Sequence, residues 1–173
     1  MSDKAEQYYK LVEQWLQFYG YANLNVNSAS NSDVDKVFTK KEDVLTRFGT
    51  VYSYCCIKYM KQGAAADDLR IFSGKMFNMA SRHRTGAPLG LGAMLVVYPL
   101  IITENISAEL AEFAKSFCPK HYAATEFPSV LDLNTEYLYY YPKTPVWGYA
   151  YYASFRKDVL RFYSPQSWKE FRK

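Results

Sequence analysis

The stretch that decides the fold is Ala93-Met94-Leu95-Val96-Val97-Tyr98-Pro99-Leu100-Ile101-Ile102-Thr103, the longest nearly uncharged apolar run in the chain. It is rich in β-branched residues, and Gly90 and Gly92 precede it. A continuous apolar run of this composition predicts a strand over 93–103 that is buried on both faces. The run is too short to cross a bilayer as a helix, which takes about 20 residues. Pro99 has no amide hydrogen, so we expect a bulge or a strand end beside it.

The composition around this stretch is that of one globular domain. The chain has 173 residues, of which 49% are apolar and 22% charged, and both values are ordinary for such a protein. We therefore expect a single domain over 1–173, with a flexible loop at about 23–36 where Asn and Ser dominate. Aromatic residues make up 18% of the chain, with 17 tyrosines. That surplus indicates either many half-buried rings or an exposed aromatic surface.

Charge and cysteine usage favour a cytoplasmic protein. The net charge is +4, which is only weak support for a polyanionic partner. Cys55 and Cys56 are too close for an ordinary disulfide and do not have a zinc-ligand spacing, while Cys118 stands alone. We expect three reduced, inert thiols. The N-terminus is polar and acidic, unlike a signal sequence, and we expect no membrane contact.

Five segments have the apolar spacing of amphipathic helices. In the first, Asp3 is a candidate N-cap and Gly20 a candidate stop; in the fourth, Ser107 is a candidate N-cap. Acidic residues at 67–68 and basic residues at 82–84 match the two ends of the third helix dipole. The predicted helices span about 4–19, 40–62, 66–84, 107–117 and 147–163.

The segment 40–62 also fits a second interpretation. Thr39 and Glu42 have the spacing of a capping box, and Gly63 follows the run, which favours a helix. However, Thr50–Met60 contains many residues that favour strands, so a strand there is the alternative.

A hairpin is the clearest β signal after the central stretch. Residues 129–133 and 136–141 alternate in polarity around Asn134-Thr135, which predicts two antiparallel strands with Tyr137, Tyr139 and Tyr141 on one face. Together with the strand at 93–103, the hairpin gives a small, mostly antiparallel sheet. The segregated helices then define the fold class as α+β.

One candidate site is an anion site built from Arg82, His83, Arg84, Gly90 and Gly92. The cations and the backbone amides near the glycines are suited to a phosphate or carboxylate. The glycines precede a strand, so this is not a P-loop. The simpler interpretation is that the charges complement the C-terminal end of a helix dipole.

Strand-end carboxylates are a second candidate: Glu104, Glu126, Asp132 and Glu136. If they converge, they suit Mg²⁺-dependent phosphodiester hydrolysis, but Glu136 lacks the lysine two residues later that one nuclease pattern requires. Solvated turn charges are the simpler interpretation. We identify no catalytic residue, and we expect no metal and no cofactor.

The aromatic and basic C-terminal third is a third candidate, as an interaction surface: Tyr137, Tyr139, Tyr141, Trp147 and Arg156. Such a surface suits a protein partner or self-association. The simpler interpretation is the apolar face of the last helix together with rings covering the sheet.

From these features we expect a non-catalytic binding protein whose surface combines the hairpin with the turn at 82–92. The alternatives are an enzyme acting on a phosphate-containing substrate or nucleic acid, and a non-catalytic nucleic-acid-binding protein. The enzyme requires the carboxylates to converge on His83 or His121. A nucleic-acid-binding protein requires a continuous positive face, and a protein-binding surface requires exposed rings near the hairpin.

Overall fold

A computed structural model describes residues 1–25, 33–44, 49–144 and 149–171. In this part of the chain the helices are α1 (Asp3–Phe18), α2 (Ala66–His83), α3 (Ala108–Ser116), α4 (Tyr149–Tyr163) and α5 (Pro165–Phe171). The strands are β1 (Ala22–Asn23), β2 (Lys36–Val44), β3 (Gly49–Tyr59), β4 (Ala93–Thr103), β5 (Lys120–His121), β6 (Ala124–Glu126), β7 (Ser129–Asp132) and β8 (Tyr137–Tyr140). The predicted α+β class is confirmed.

The strand predicted at 93–103 is β4, and it lies inside one sheet of mixed direction. β3 pairs parallel to β4 on one side, while β6 and β7 pair parallel to it on the other. β1 and β2 extend the sheet antiparallel beyond β3, and β5 and β8 pair antiparallel with β6 and β7. The sheet is therefore larger than expected and of mixed direction: the three pairings of β4 are parallel, and the four other pairings among the described strands are antiparallel.

Pro99 lies at a break in the pairing of β4. The strand continues through it, opposite Cys56 of β3. On the other side, β6 pairs with Leu95–Val97 and β7 begins only at Leu100. The missing amide hydrogen thus coincides with the change of partner, which is one way a central strand accommodates proline.

Two hydrophobic cores cover the two faces of β4. Val96, Tyr98 and Leu100 pack in the core that includes residues of α1, α4 and α5. Leu95 and Val97 pack in the core that includes residues of α2 and α3. The connections β3–α2–β4 and β4–α3–β7 both step across the sheet in the same direction. Because such crossovers share one hand, both helices lie on the same face.

The helix predicted over 40–62 is wrong, and the strand alternative at Thr50–Met60 is correct. Residues 51–57 are buried without interruption, so the apolar residues at helical spacing are only part of a strand that is buried on both faces. Thr39 and Glu42 lie within β2, where they pair with β3, so the apparent capping box caps nothing. Periodicity alone does not distinguish a doubly buried strand from a helix.

The other helices and the hairpin are confirmed, with differences in detail. The cap of α1 is Ser2, whose Oγ accepts from the amide of Ala5 at 3.3 Å, rather than Asp3. Ser107 caps α3 as expected. Four residues, 133–136, connect β7 and β8, instead of Asn134-Thr135 alone. Residues 26–32 lie outside the described residues, so the flexible loop at 23–36 stays a prediction.

The burial of the thiols gives a test of this fold. Cys55 and Cys56 are fully buried in opposite cores, and burial raises the pKa of both thiols. Burial also raises the pKa of Cys118 to about 12, although this residue is less deeply buried. Since the thiolate is the reactive form, we expect slow reaction of Cys118 with Ellman's reagent at pH 8 and no reaction of the other two.

The measurement is a time course with and without denaturant, in which all three thiols should react once the chain is unfolded. A Cys118→Ser variant is the control, and it should lose the slow phase. Rapid reaction of two thiols in the native protein would contradict the placement of Cys55 and Cys56 inside β3.

Candidate interaction surface

Of the residues predicted to bind an anion, His83 and Arg84 make hydrogen bonds within the protein, and Arg82 is exposed to solvent. Arg82 is exposed at the end of α2. The Nδ1 atom of His83 lies 3.0 Å from the hydroxyl of Tyr54, and Arg84 donates from Nη1 to the carbonyl of Ala87 at 2.9 Å. The Nε of Arg84 is buried and finds no hydrogen-bond partner among the described residues. The structure does not test binding by this group, so the anion site stays a prediction.

The turn at 86–92 contacts the hairpin formed by β5 and β6. Gly90 has a φ of +80°, and a Cβ atom there would lie 2.4 Å from Cε1 of Tyr122, so this position requires glycine. Its amide donates to the carbonyl of Ala93 at 2.9 Å and is not available to a ligand. Leu91 and Tyr122 are 73% and 80% exposed. The turn thus presents an apolar tip beside the β5–β6 hairpin.

The tyrosine-bearing strand β8 lies at the margin of the sheet. Tyr137 is 48% exposed, and its ring meets that of Tyr139 at 4.7 Å between centroids. Tyr139 packs against the core on the α2 and α3 face, as the alternation predicts. Tyr141 does not share this face. It packs in the opposite core, 6.3 Å from the ring of Tyr152, because β8 ends at Tyr140 and the alternation ends with it.

Basic side chains lie over or beside these rings. The Nζ of Lys115 is 5.6 Å from the ring of Tyr139, and the Nζ of Lys120 is 5.9 Å from the ring of Tyr152. Arg156 donates from Nη1 to the carbonyl of Lys143 at 3.1 Å. Trp147, the remaining residue of the predicted surface, lies outside the described residues. We name the following set the basic–aromatic margin: Lys115, Lys120, Tyr137, Tyr139, Tyr141, Lys143, Tyr152 and Arg156.

The strand-end carboxylates do not converge. Asp132 accepts from the Asn134 amide at 2.9 Å and from the Thr135 hydroxyl at 2.7 Å. Glu136 pairs with Lys169. The hydroxyls of Ser2 and Tyr59 donate to Glu104 and lower its pKa. Within the described residues, no group of three or more His, Cys, Asp or Glu side chains is arranged to hold a metal ion.

Glu126 lies apart from the other carboxylates and beside a histidine. It is in register with Val97 of β4, whereas Asp132 is in register with Thr103, so six residues of strand, roughly 20 Å, separate them. Its side chain is 4% exposed, with Oε1 at 2.7 Å from Nε2 of His121. Of the four candidate carboxylates, this one alone lies beside His121.

Ser73 and Phe77 of α2 complete the surroundings of this pair. The Ser73 hydroxyl donates to Oε2 of Glu126, and the ring of Phe77 stacks on the imidazole at 3.9 Å. Because the carboxylate accepts from Nε2, the imidazole keeps Nδ1 for another partner. This arrangement orients a histidine as acid–base sites do, but it also links α2 to the β5–β6 hairpin. Sequence reasoning missed it, since Ser73 is far from the hairpin in the chain.

A cavity of about 420 Å³ lies between α1, the β7–β8 turn and the start of α5. Most of its polar side chains are already paired: Lys4 donates to Asn134 at 2.7 Å, Thr135 donates to Asp132, and Glu136 binds Lys169. It therefore offers few free groups to orient a ligand. Among the described helices, none is long and apolar enough to cross a membrane.

Fold and surface together define an α+β protein with a margin where cations lie beside tyrosine rings. No family model matches the chain, and no curated protein or solved structure is significantly similar to it.

The buried Glu126 carboxylate gives a second test. Replacing it in Glu126→Gln leaves the shape but removes the charge that Ser73 and His121 satisfy. We expect a loss of about 2 kcal/mol in the free energy of unfolding, the usual order for a buried, charge-assisted pair. Urea denaturation measures it. Glu170→Gln, at an exposed position of α5, is the matched control and should change stability by less than about 0.5 kcal/mol. Equal stability of both variants would contradict the role assigned to the pair.

Proposed function

We propose that this chain is a non-catalytic binding protein that engages a protein partner through β8 and the basic–aromatic margin. One observation carries the proposal. Among the described residues, β8 pairs with β7 alone, and its tyrosines are half-buried or exposed. The partner is either a different protein or a second copy of this chain.

An edge strand is suited to this role because its outer main-chain groups have no partner within the sheet. A second strand that adds there gains a ladder of hydrogen bonds, and pockets between side chains select its sequence. Tyrosine supplies contact area at low entropic cost, which is why it is frequent at interfaces. The rings of Tyr137 and Tyr139 provide this area on one face of β8.

The turn at 86–92 supports a continuous surface. Gly90 contacts Tyr122 in the β5–β6 hairpin, and Lys120 of the same hairpin lies over Tyr152 of α4. The ring of Tyr152 in turn contacts Tyr141, next to β8. These contacts link the exposed Leu91 and Tyr122 to the margin, so a partner that covers β8 has an apolar extension available.

The dispersed carboxylates support binding rather than hydrolysis as the activity. Metal-assisted hydrolysis requires several oxygen ligands at one point, whereas Glu104, Asp132 and Glu136 each have separate partners. The buried thiols support a reducing, cytoplasmic location, which is part of the same proposal.

The test is selection of a displayed random peptide library on the immobilised protein, followed by measurement of the affinity of enriched peptides. We expect Tyr137→Ala to weaken the binding of those peptides about tenfold, since truncating an interface tyrosine of this kind costs about 1.4 kcal/mol. Phe18→Ala removes a ring on α1 that is more exposed, at 76% against 48% for Tyr137, and is the control. If no peptide is enriched, or if both variants bind equally well, the proposal fails.

A further inference from the structure

We propose that the partner of β8 is an acidic, extended segment of another protein, which adds to the sheet as one more strand. This inference rests on the proposed function and specifies its partner. It is carried by the positions of the cations relative to the two faces of β8.

Cations flank β8 on both faces. Lys115 projects from α3, on the face where Tyr139 packs, and it lies near enough to Tyr137 and Tyr139 to interact electrostatically with both. Arg156 belongs to α4, which packs in the opposite core, and its Nη1 donates to the carbonyl of Lys143, three residues beyond Tyr140. Because successive side chains of a strand point to opposite faces, carboxylates on either face of an added strand meet a cation.

In the described part of the chain, only some of the cations beside β8 form ion pairs with its carboxylates. Glu112 pairs with Lys115 at 2.8 Å. By contrast, none of the ion pairs among the described residues involves Arg156 or Lys143. The sequence has no Asp or Glu between 137 and 157, which includes β8, Lys143 and Arg156. An acidic segment therefore finds unpaired positive charge on the α4 face.

The same charges disfavour two other occupants. A second copy that pairs through its own β8 brings its Lys115 and Arg156 towards those of the first copy, and like charges at an interface weaken association. A nucleic acid gains little from the outer main-chain groups of a strand. It also usually requires several phosphate contacts, whereas Lys115 and Lys120 already lie over the rings on which bases would stack.

The test is fluorescence anisotropy of labelled octapeptides. In the acidic peptide, pairs of glutamates alternate with pairs of valines, so that both faces of an extended chain carry carboxylates. There are three control peptides. In the first, lysines replace the glutamates; in the second, threonines replace the glutamates. In the third, proline replaces the two central residues of the acidic peptide. We expect the acidic peptide to bind most tightly, and the proline-containing peptide to bind at least tenfold more weakly, because proline removes main-chain donors.

Arg156→Glu should weaken the acidic peptide by about tenfold, since one attraction becomes a repulsion. Lys157→Glu makes the same charge change one residue along α4, at an exposed position, and should change affinity less than about twofold. Circular dichroism of both variants checks that they fold.

Several results would overturn the inference. If the proline-containing peptide binds as tightly as the acidic one, the attraction is charge alone and no strand is added. If the threonine peptide binds best, a neutral partner replaces the acidic one while the proposed function stands. If no peptide binds, the inference fails. Concentration-dependent dimers in light scattering would then leave the proposed function standing with a second copy as the partner, whereas oligonucleotide binding would overturn the proposed function as well.

Discussion

The burial of β4 on both faces is the constraint on which the rest of the structure depends. A continuous apolar strand rich in Val, Leu and Ile has no polar face, so it requires a neighbour on each side and a helical layer above and below. β3 and the pair β6 and β7 supply the neighbours, and the cores containing Tyr98 and Val97 supply the layers. The outer strands, β8 among them, then complete a sheet whose centre is already covered.

The charge distribution follows from the same topology. In both crossovers the helix runs back along the sheet, so α2 and α3 end where the parallel strands begin. Each helix carries acidic residues in its first turn and basic residues in its last, as the helix dipole favours. Lys115 is the basic residue at the end of α3, and it lies over the ring of Tyr139 of β8. The local preference of a helix end thus contributes one cation of the basic–aromatic margin.

The sequence contained much of this, but not all. The central strand, α2, α3 and the hairpin follow from local signals: composition, caps and alternation. The error at 40–62 has a physical cause, because the residues from Val51 to Ile57 are buried at every position, and only their tertiary neighbours decide between helix and strand. The Glu126–His121–Ser73 cluster was out of reach for the same reason. Its members come together only when α2 packs over β6, a long-range event that no local pattern records.

Tyrosine suits the edge of this fold because its ring packs against the core while its hydroxyl tolerates solvent. Buried tyrosines pack beside the aliphatic residues of the core, and their hydroxyls make hydrogen bonds within the protein. Tyr163 donates to the Tyr98 carbonyl at 2.7 Å, and Tyr8 donates to the Tyr163 carbonyl at 2.9 Å. At β8 the same residue type packs one side against the core while leaving the other exposed. A leucine there would create an exposed apolar patch, and a lysine would protect the edge from pairing. The rings of Tyr137 and Tyr139 do neither, which is the property that the proposed addition of a strand at β8 requires.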